Sequence, residues 1–325
     1  MRYLHAMFWL YIFIFITSCA LLFWSGSFLI KALLRIAKFL GWREFVIAFF
    51  IVALAATLPN LFVGISSAFH KIPQLSFGDV VGGNVIDLTI AVALAALVAK
   101  GLPAESKLVQ TSSIFTILIA ILPLLLIYDG ILGRGDGIIL ILVFFFYVSW
   151  LFSKKERFIK IYDEREVEII KEFKVFLKDI GLLILGIVFL LAGAEGIVRS
   201  ARFFAESFDL PLPLIGILIV GLGNAIPETY FAFLSAKKGQ TWMILGDLMG
   251  SVITPATLVL GIVALICPIE ILDFSPFAIA RFFLIISALF FFFFVRTDQK
   301  ITKKEALFLL LIYIIFVATE LIFKS

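Results

Sequence analysis

Histidine and cysteine are almost missing from this chain, with two of each in 325 residues. His5 and His70 are far apart, and Cys19 and Cys267 lie in or beside apolar stretches. The chain therefore lacks the residues for a zinc centre or a disulfide framework. The two thiols read as small buried residues. Charge is also scarce: Asp, Glu, Lys and Arg make up 15% of the residues, against about 25% in an ordinary soluble domain. Too little polar surface is left to cover a soluble protein of this length. No H-E-x-x-H, G-x-S-x-G or G-x-x-x-x-G-K-[ST] pattern occurs, so zinc-peptidase, serine-hydrolase and ATP-driven chemistry have no machinery here, and the chain does not read as an enzyme. The net charge of +4 is spread over short loops. It makes no basic patch, and so gives no nucleic-acid signal.

What fills the chain is apolar. Hydrophobic residues make up 63%, and Phe alone accounts for 38 positions, including the run Phe290 to Phe294. Mean hydropathy is +1.16. A helix crosses the hydrocarbon in roughly 20 residues. On that measure the apolar runs predict ten spans, at about 8–34, 44–69, 75–99, 108–128, 136–153, 179–203, 212–236, 241–266, 275–295 and 304–323. Ile16-Thr17-Ser18-Cys19 loosely matches a lipoprotein cleavage box, but the apolar stretch continues to Ile30. That is too long for a signal-peptide core and suits a first span. The longest polar segment, 154–178, mixes both signs and reads as a central loop with a short amphipathic helix. The expected fold is all-α and transmembrane. A first half (1–153) and a second half (179–325) flank the loop, with membrane lipid around both.

Basic residues set the orientation. With an outside N-terminus, 20 of the 27 Lys and Arg residues fall on the inner side, eight of them in the central segment. This asymmetry predicts both termini outside and a cytoplasmic central loop.

The chain also matches itself weakly at an offset of 168 residues. Residues 53–93 align without a gap on 221–261, with 8 of 41 positions identical. Pro59 pairs with Pro227, Ser67 with Ser235, Gly78-Asp79 with Gly246-Asp247, Gly82 with Gly250 and Thr89 with Thr257. These are polar and helix-disturbing residues inside apolar spans, where chance would supply Leu, Ile or Phe. The copies lie within about 44–99 and 212–266, the second and third spans of each half. Five spans per half is an odd number, so the second copy enters the membrane from the opposite side. Inverted repeats with interrupted helices mark secondary transporters whose site lies near the bilayer midplane.

The chemistry at that depth consists of oxygen donors. Pro59 and Pro227 cannot donate a backbone hydrogen bond, and each frees a carbonyl on the preceding turn. Thr57 and Asn60 lie beside the first proline; Asn224 and Glu228 lie beside the second. The next span of each half supplies Asn84 and Asp87, then Ser251 and Thr254. Asp87 and Glu228 fall about halfway along their spans, where a carboxylate costs several kcal/mol unless paired, and is a functional candidate by default. Carboxylate, amide, hydroxyl and carbonyl oxygens suit hard cations such as Ca2+ and Na+. Thr57, Asn60, Asn84, Asp87, Asn224, Glu228 and Ser251 are the expected cation-binding residues, with Asp87 and Glu228 as the charged metal ligands. Asn84 is equally compatible with packing, and Ser66, Ser67, Gly82 and Thr89 fit helix packing at least as well as ligation. Asp79 and Asp247 sit eight residues before Asp87 and Pro255. They are either access-route residues, one at each mouth, or helix-start residues that stabilise the dipole. Glu195 is expected to pair with Arg199 one turn later.

At Ala225-Ile226-Pro227-Glu228 and Gly246-Asp247-Leu248-Met249-Gly250-Ser251 the sequence resembles the second alpha repeat of the cation/calcium exchanger superfamily, which includes sodium/calcium and proton/calcium exchangers. Thr57-Leu58-Pro59-Asn60 and Gly78-Asp79-Val80-Val81-Gly82-Gly83-Asn84 resemble the first. The resemblance implies alternating access around a four-helix site and exchange of Ca2+ for Na+ or for H+, with no further cofactor. It departs from the family pattern in three places: Asn60 replaces the family's first-repeat glutamate, Gly83 a serine, and Pro255 an acidic or amide residue. The short loop is typical of prokaryotic exchangers, implying a prokaryotic plasma membrane. A non-transporting paralogue and a cation channel are the competing readings. Channels usually build their pores by symmetry among subunits, whereas here the repeat lies within one chain.

Overall fold

The computed structural model describes residues 2–39, 57–153, 169–239, 241–271 and 275–322. Among them ten helices follow the order of the predicted spans. They are α1 (Arg2–Phe39), α2 (Leu58–Phe69), α3 (Gln74–Val98), α4 (Lys107–Leu126), α5 (Arg134–Ser153), α6 (Ile169–Phe208), α7 (Leu212–Lys237), α8 (241–266), α9 (Ser275–Arg296) and α10 (Lys303–Ile322). Nine of these are long and apolar enough to cross a membrane, and the protein is an integral membrane protein. The described part of α2 is 12 residues long. The first part of the predicted second span, 44–56, and most of the predicted central loop, 154–168, lie outside the described residues. Residues 169–178, expected in that loop, are the opening turns of the 40-residue α6.

The 168-residue repeat is written into the backbone. In α3, a π-helical turn at Asp87–Ala91 separates Gln74–Ile86 from Val92–Val98. In α8, a π-helical turn at Pro255–Val259 separates Thr241–Thr254 from Leu260–Ile266. Adding 168 carries the first π turn onto the second. Pro255 opens the second turn, where its missing N–H suits an interrupted ladder. Such turns are rare and cluster at functional sites.

Two short ribbons record the inversion. β1 (Leu102–Pro103), after α3, pairs antiparallel with β4 (Lys300–Ile301), between α9 and α10. β2 (Ile131–Leu132), between α4 and α5, pairs antiparallel with β3 (Ile269–Glu270), after α8. Exchanging the halves exchanges the ribbons. Since α4 crosses the bundle between β1 and β2, the ribbons lie at opposite ends, and α3 and α8 run in opposite directions.

At the centre, α2, α3, α7 and α8 pack together, with α3 pressed onto the start of α7. A Cβ on Gly78 would lie 2.3 Å from the carbonyl oxygen of Pro213, and one on Gly82 would lie 2.2 Å from that of Ile217. Only glycine allows the two backbones to meet this closely. The larger apolar core joins α3, α4, α8, α9 and α10. A smaller one joins α1 and α6 to α2 and α7. The α1–α6 pair is tied at one end by Arg35, whose guanidinium donates to both carboxylate oxygens of Asp179 at 2.6–2.8 Å.

Candidate functional site

Helices α2, α3, α7 and α8 enclose a cavity of about 10 Å³, the room open to the centre of a water-sized particle. That is about one such particle. Asn60 comes from α2; Asp79, Val80, Gly83, Asn84 and Asp87 from α3; Asn224, Ala225 and Glu228 from α7; Ser251 and Pro255 from α8. Six of the seven expected cation-binding residues therefore line one cavity. Thr57 is buried at 5% exposure but is not among the lining residues.

The repeat explains how these side chains meet. Asn60 and Glu228 each follow a proline by one residue, at equivalent places in α2 and α7. Asn224 lies four residues before Glu228, on the same face of α7. Asp87 opens the π turn of α3, and its carboxylate meets Ser251 of α8.

The polar atoms divide into those with partners and those without. Ser251 Oγ donates to Asp87 Oδ2 at 2.7 Å, with the Leu248 carbonyl oxygen a second acceptor within reach at 2.9 Å. Asn224 Nδ2 donates to both carboxylate oxygens of Asp79, at 3.1 and 3.0 Å. Asn60 Oδ1, Asp87 Oδ1 and Glu228 Oε2 are buried and have no protein partner, and neither has Asn84 Nδ2. Native proteins rarely leave such atoms unsatisfied without a reason. Among the described residues no Lys or Arg lines the cavity, and none of them sets a counter-charge beside the carboxylates. Among the described residues no three His, Cys, Asp or Glu side chains converge as a metal cage. The arrangement is three carboxylates, Asp79, Asp87 and Glu228, the first held by the Asn224 amide, with neutral oxygens around a space of ionic size. Such a set of oxygen donors suits a small hard cation.

The other expected residues fall into place around this centre. Asp79, at 2% exposure, borders the same cavity, and Asp247, its repeat mate, is not among the lining residues. Pro59 is buried in the first turn of α2, and Pro227 sits inside α7 next to Glu228. Ser67 Oγ donates to the Gly64 carbonyl at 2.7 Å, and Thr89 Oγ1 to that of Val85. Gly82 packs on Ile217. Glu195 accepts from Arg199 Nε at 2.6 Å and from Ser66 Oγ at 3.0 Å, and His70 Nε2 lies 3.2 Å from it. That group links α2 to α6, away from the cavity. Gly83 and Pro255 were not expected as site residues, yet both line the cavity. The available signal was their position, four residues apart in the repeat register and each opposite a functional residue of the other half.

Comparison with known proteins bears on the whole chain. A family model described as sodium/calcium exchanger protein matches residues 10–153 and 178–321. An uncharacterized membrane protein of Methanocaldococcus jannaschii is 24% identical over 307 residues, covering 94% of this chain and 96% of the relative. Inner membrane protein YrbG of Escherichia coli is 25% identical over 281 residues, 83% of each chain. Sodium/calcium exchanger MaX1 of Methanosarcina acetivorans is 25% identical over 327 residues, covering 90% of this chain and 93% of the relative. The solved structure of the sodium-calcium exchanger NCX_Mj soaked with Na+ and Sr2+ superposes with a TM-score of 0.65 at 23% identity, covering 96% of this chain and 99% of that one.

Proposed function

This chain belongs to the sodium/calcium exchanger protein family, and on that footing we propose that it is a secondary antiporter exchanging Ca2+ for Na+ by alternating access. The observation that carries the reading is the convergence of Asn60 Oδ1, Asp87 Oδ1 and Glu228 Oε2, three buried oxygens without protein partners, on a cavity of about 10 Å³. Two carboxylates neutralise one divalent cation, or two monovalent ones, in alternation, and the amide oxygen adds a neutral ligand. The names of MaX1 and NCX_Mj as sodium/calcium exchangers support the choice of ions.

Within this proposal Asp87 and Glu228 are the charged ligands. Asn60, Asn84, Asn224 and Ser251 complete or orient the oxygen shell, and Thr57 belongs to its outer edge. The inner side carries the central segment and both termini lie outside, following the distribution of Lys and Arg; the short central loop favours a prokaryotic plasma membrane. Proton coupling is the second reading. The observation favouring it is a third carboxylate, Asp79, on the same cavity, which one Ca2+ does not neutralise.

The test is Ca2+ uptake into proteoliposomes, driven in parallel by an outward Na+ gradient and by an outward proton gradient. Uptake on the Na+ gradient alone, lost in Asp87→Asn and in Glu228→Gln, is the expected result. Uptake on the proton gradient alone would assign the coupling ion to H+. Absence of uptake on both gradients would remove Ca2+ exchange and leave a channel or a non-transporting paralogue.

A further inference from the structure

Asp79 is buried, borders the cation cavity, and has both carboxylate oxygens within 3.1 Å of one atom, the Asn224 amide nitrogen. A carboxylate only accepts hydrogen bonds, so the atom facing it must be the nitrogen of the amide, not its oxygen. The oxygen is on the other branch of the same planar group and is turned away from Asp79.

The consequence lies on the cavity side. Asn224 lines the cavity one helical turn from Glu228, whose Oε2 has no partner, and Asp87 Oδ1 is likewise free. An unrestrained Asn224 would turn its NH2 toward these carboxylate oxygens, because a charge-assisted hydrogen bond is the strongest one on offer. That would set a donor where a cation needs an acceptor. It would also occupy a ligand oxygen from within. Asp79 competes for the same nitrogen with two oxygens and from outside the ligand set.

We propose that Asp79 is a positioning residue that holds the Asn224 amide with its oxygen toward the cavity, so that Asn224 serves as a ligand instead of blocking one. The device exists in one half only. The repeat mate of Asn224 is Ala56, which has no amide to offer Asp247, and Asp247 is absent from the cavity wall. Asp79 and Asp247, equivalent in the repeat, therefore do different work. The inference rests on the cation-site reading above.

The experiment is a double-mutant cycle on purified protein, read by equilibrium Ca2+ binding and by proteoliposome uptake, with size-exclusion profiles to establish folding. Wild type is measured first, and a wild type that binds no Ca2+ sinks the cation reading itself. Given binding, Asp79→Leu is expected to weaken Ca2+ affinity by about tenfold, as for one charge-assisted hydrogen bond. Asp79→Asn, which keeps one acceptor oxygen, should recover most of that affinity. In an Asn224→Ala background, Asp79→Leu should add nothing. An unchanged affinity in folded Asp79→Leu would overturn the proposal, as would a loss equally large with or without Asn224. Should Asp79→Leu not fold, Asp79→Ala, which also removes both acceptor oxygens, is compared with and without Asn224 and decides in the same way.

Discussion

Ser251 Oγ donates to Asp87 Oδ2 at 2.7 Å, joining α8 to α3 across 164 residues of chain. The repeat would place a second such bond at the equivalent positions, but the mate of Ser251 is Gly83 and the mate of Asp87 is Pro255. Each half has kept one member of the pair and lost the other. The surviving members come from opposite halves and meet at the crossing. The bond holds one oxygen of Asp87 and leaves the other, Oδ1, unpartnered.

Removing that bond separates orientation from charge. Ser251→Ala keeps both carboxylates in the site but frees the rotamer of Asp87. The expected outcome is a rise in the apparent KM for Ca2+ of about tenfold, the worth of a hydrogen bond to a charged group. Asp87→Asn, by contrast, is expected to abolish exchange. Uptake titrations against Ca2+ concentration check both.

Neutralising Asp87 or Glu228 should cost function without costing stability. Both sit in a cavity with no Lys or Arg among the described residues of its wall, and a buried charge without a counter-charge destabilises the fold that contains it. Asp87→Asn and Glu228→Gln are expected to melt at or above the wild-type temperature in cation-free detergent. They should also lack the Ca2+-induced rise in Tm that ligand binding is expected to give the wild type. Thermal unfolding with and without Ca2+ is the measurement.

Two neighbouring glycines should respond in opposite ways. A Cβ on Gly82 would lie 2.2 Å from the Ile217 carbonyl oxygen, whereas at Gly83 the nearest such atom is 4.0 Å away. Gly82→Ala must push α3 and α7 apart, at about 1–3 kcal/mol or more, and is expected to reduce folded yield. Gly83→Ser is expected to fold normally and to add a hydroxyl oxygen to the cavity wall, so the apparent KM for Ca2+ should not rise. Size-exclusion yield and uptake distinguish the two.

The Arg35–Asp179 pair should be lopsided. Asp179 is 2% exposed and Arg35 is 45% exposed. The guanidinium can be rehydrated when its partner is lost, while the carboxylate, left alone, stays buried. Arg35→Ala is therefore expected to destabilise by about 1–3 kcal/mol, and Asp179→Asn by less. Melting temperatures of the two variants, ranked against wild type, provide the check.

Much of the architecture was legible because a membrane leaves the sequence few choices. Backbone polar groups must be satisfied within each span, so apolar runs of about 20 residues read directly as helices. Polar residues inside those runs are costly enough to stand out. Asp87, Glu228, Asn60, Asn84, Asn224 and Ser251 were singled out on that ground, and all six border the one cavity. The opening turns of α6 were not legible: residues 169–178 are charged enough to read as loop, yet they continue the helix beyond its apolar part. Nor were the π turns, since Asp87-Leu88-Thr89-Ile90-Ala91 carries no local signal that separates a five-residue turn from the ordinary one.

By itself, then, the sequence determined the membrane class, the order of the helices, the repeat with its 168-residue register and the oxygen chemistry of the site. These are properties of composition and spacing, and the bilayer converts them into structure one span at a time. Tertiary structure alone decided which polar atoms are used up and which are left free. Asp79 and Asp247 are equivalent in sequence, but the crossing of α3 with α7 brings the Asn224 amide to Asp79, and the residue at the repeat position of Asn224 is an alanine. Asp87 has two oxygens of equal chemistry until Ser251, arriving from the other half, takes one of them. A hydrogen-bond partner is a matter of distances between helices, and those are fixed by the glycines that let α3 and α7 touch.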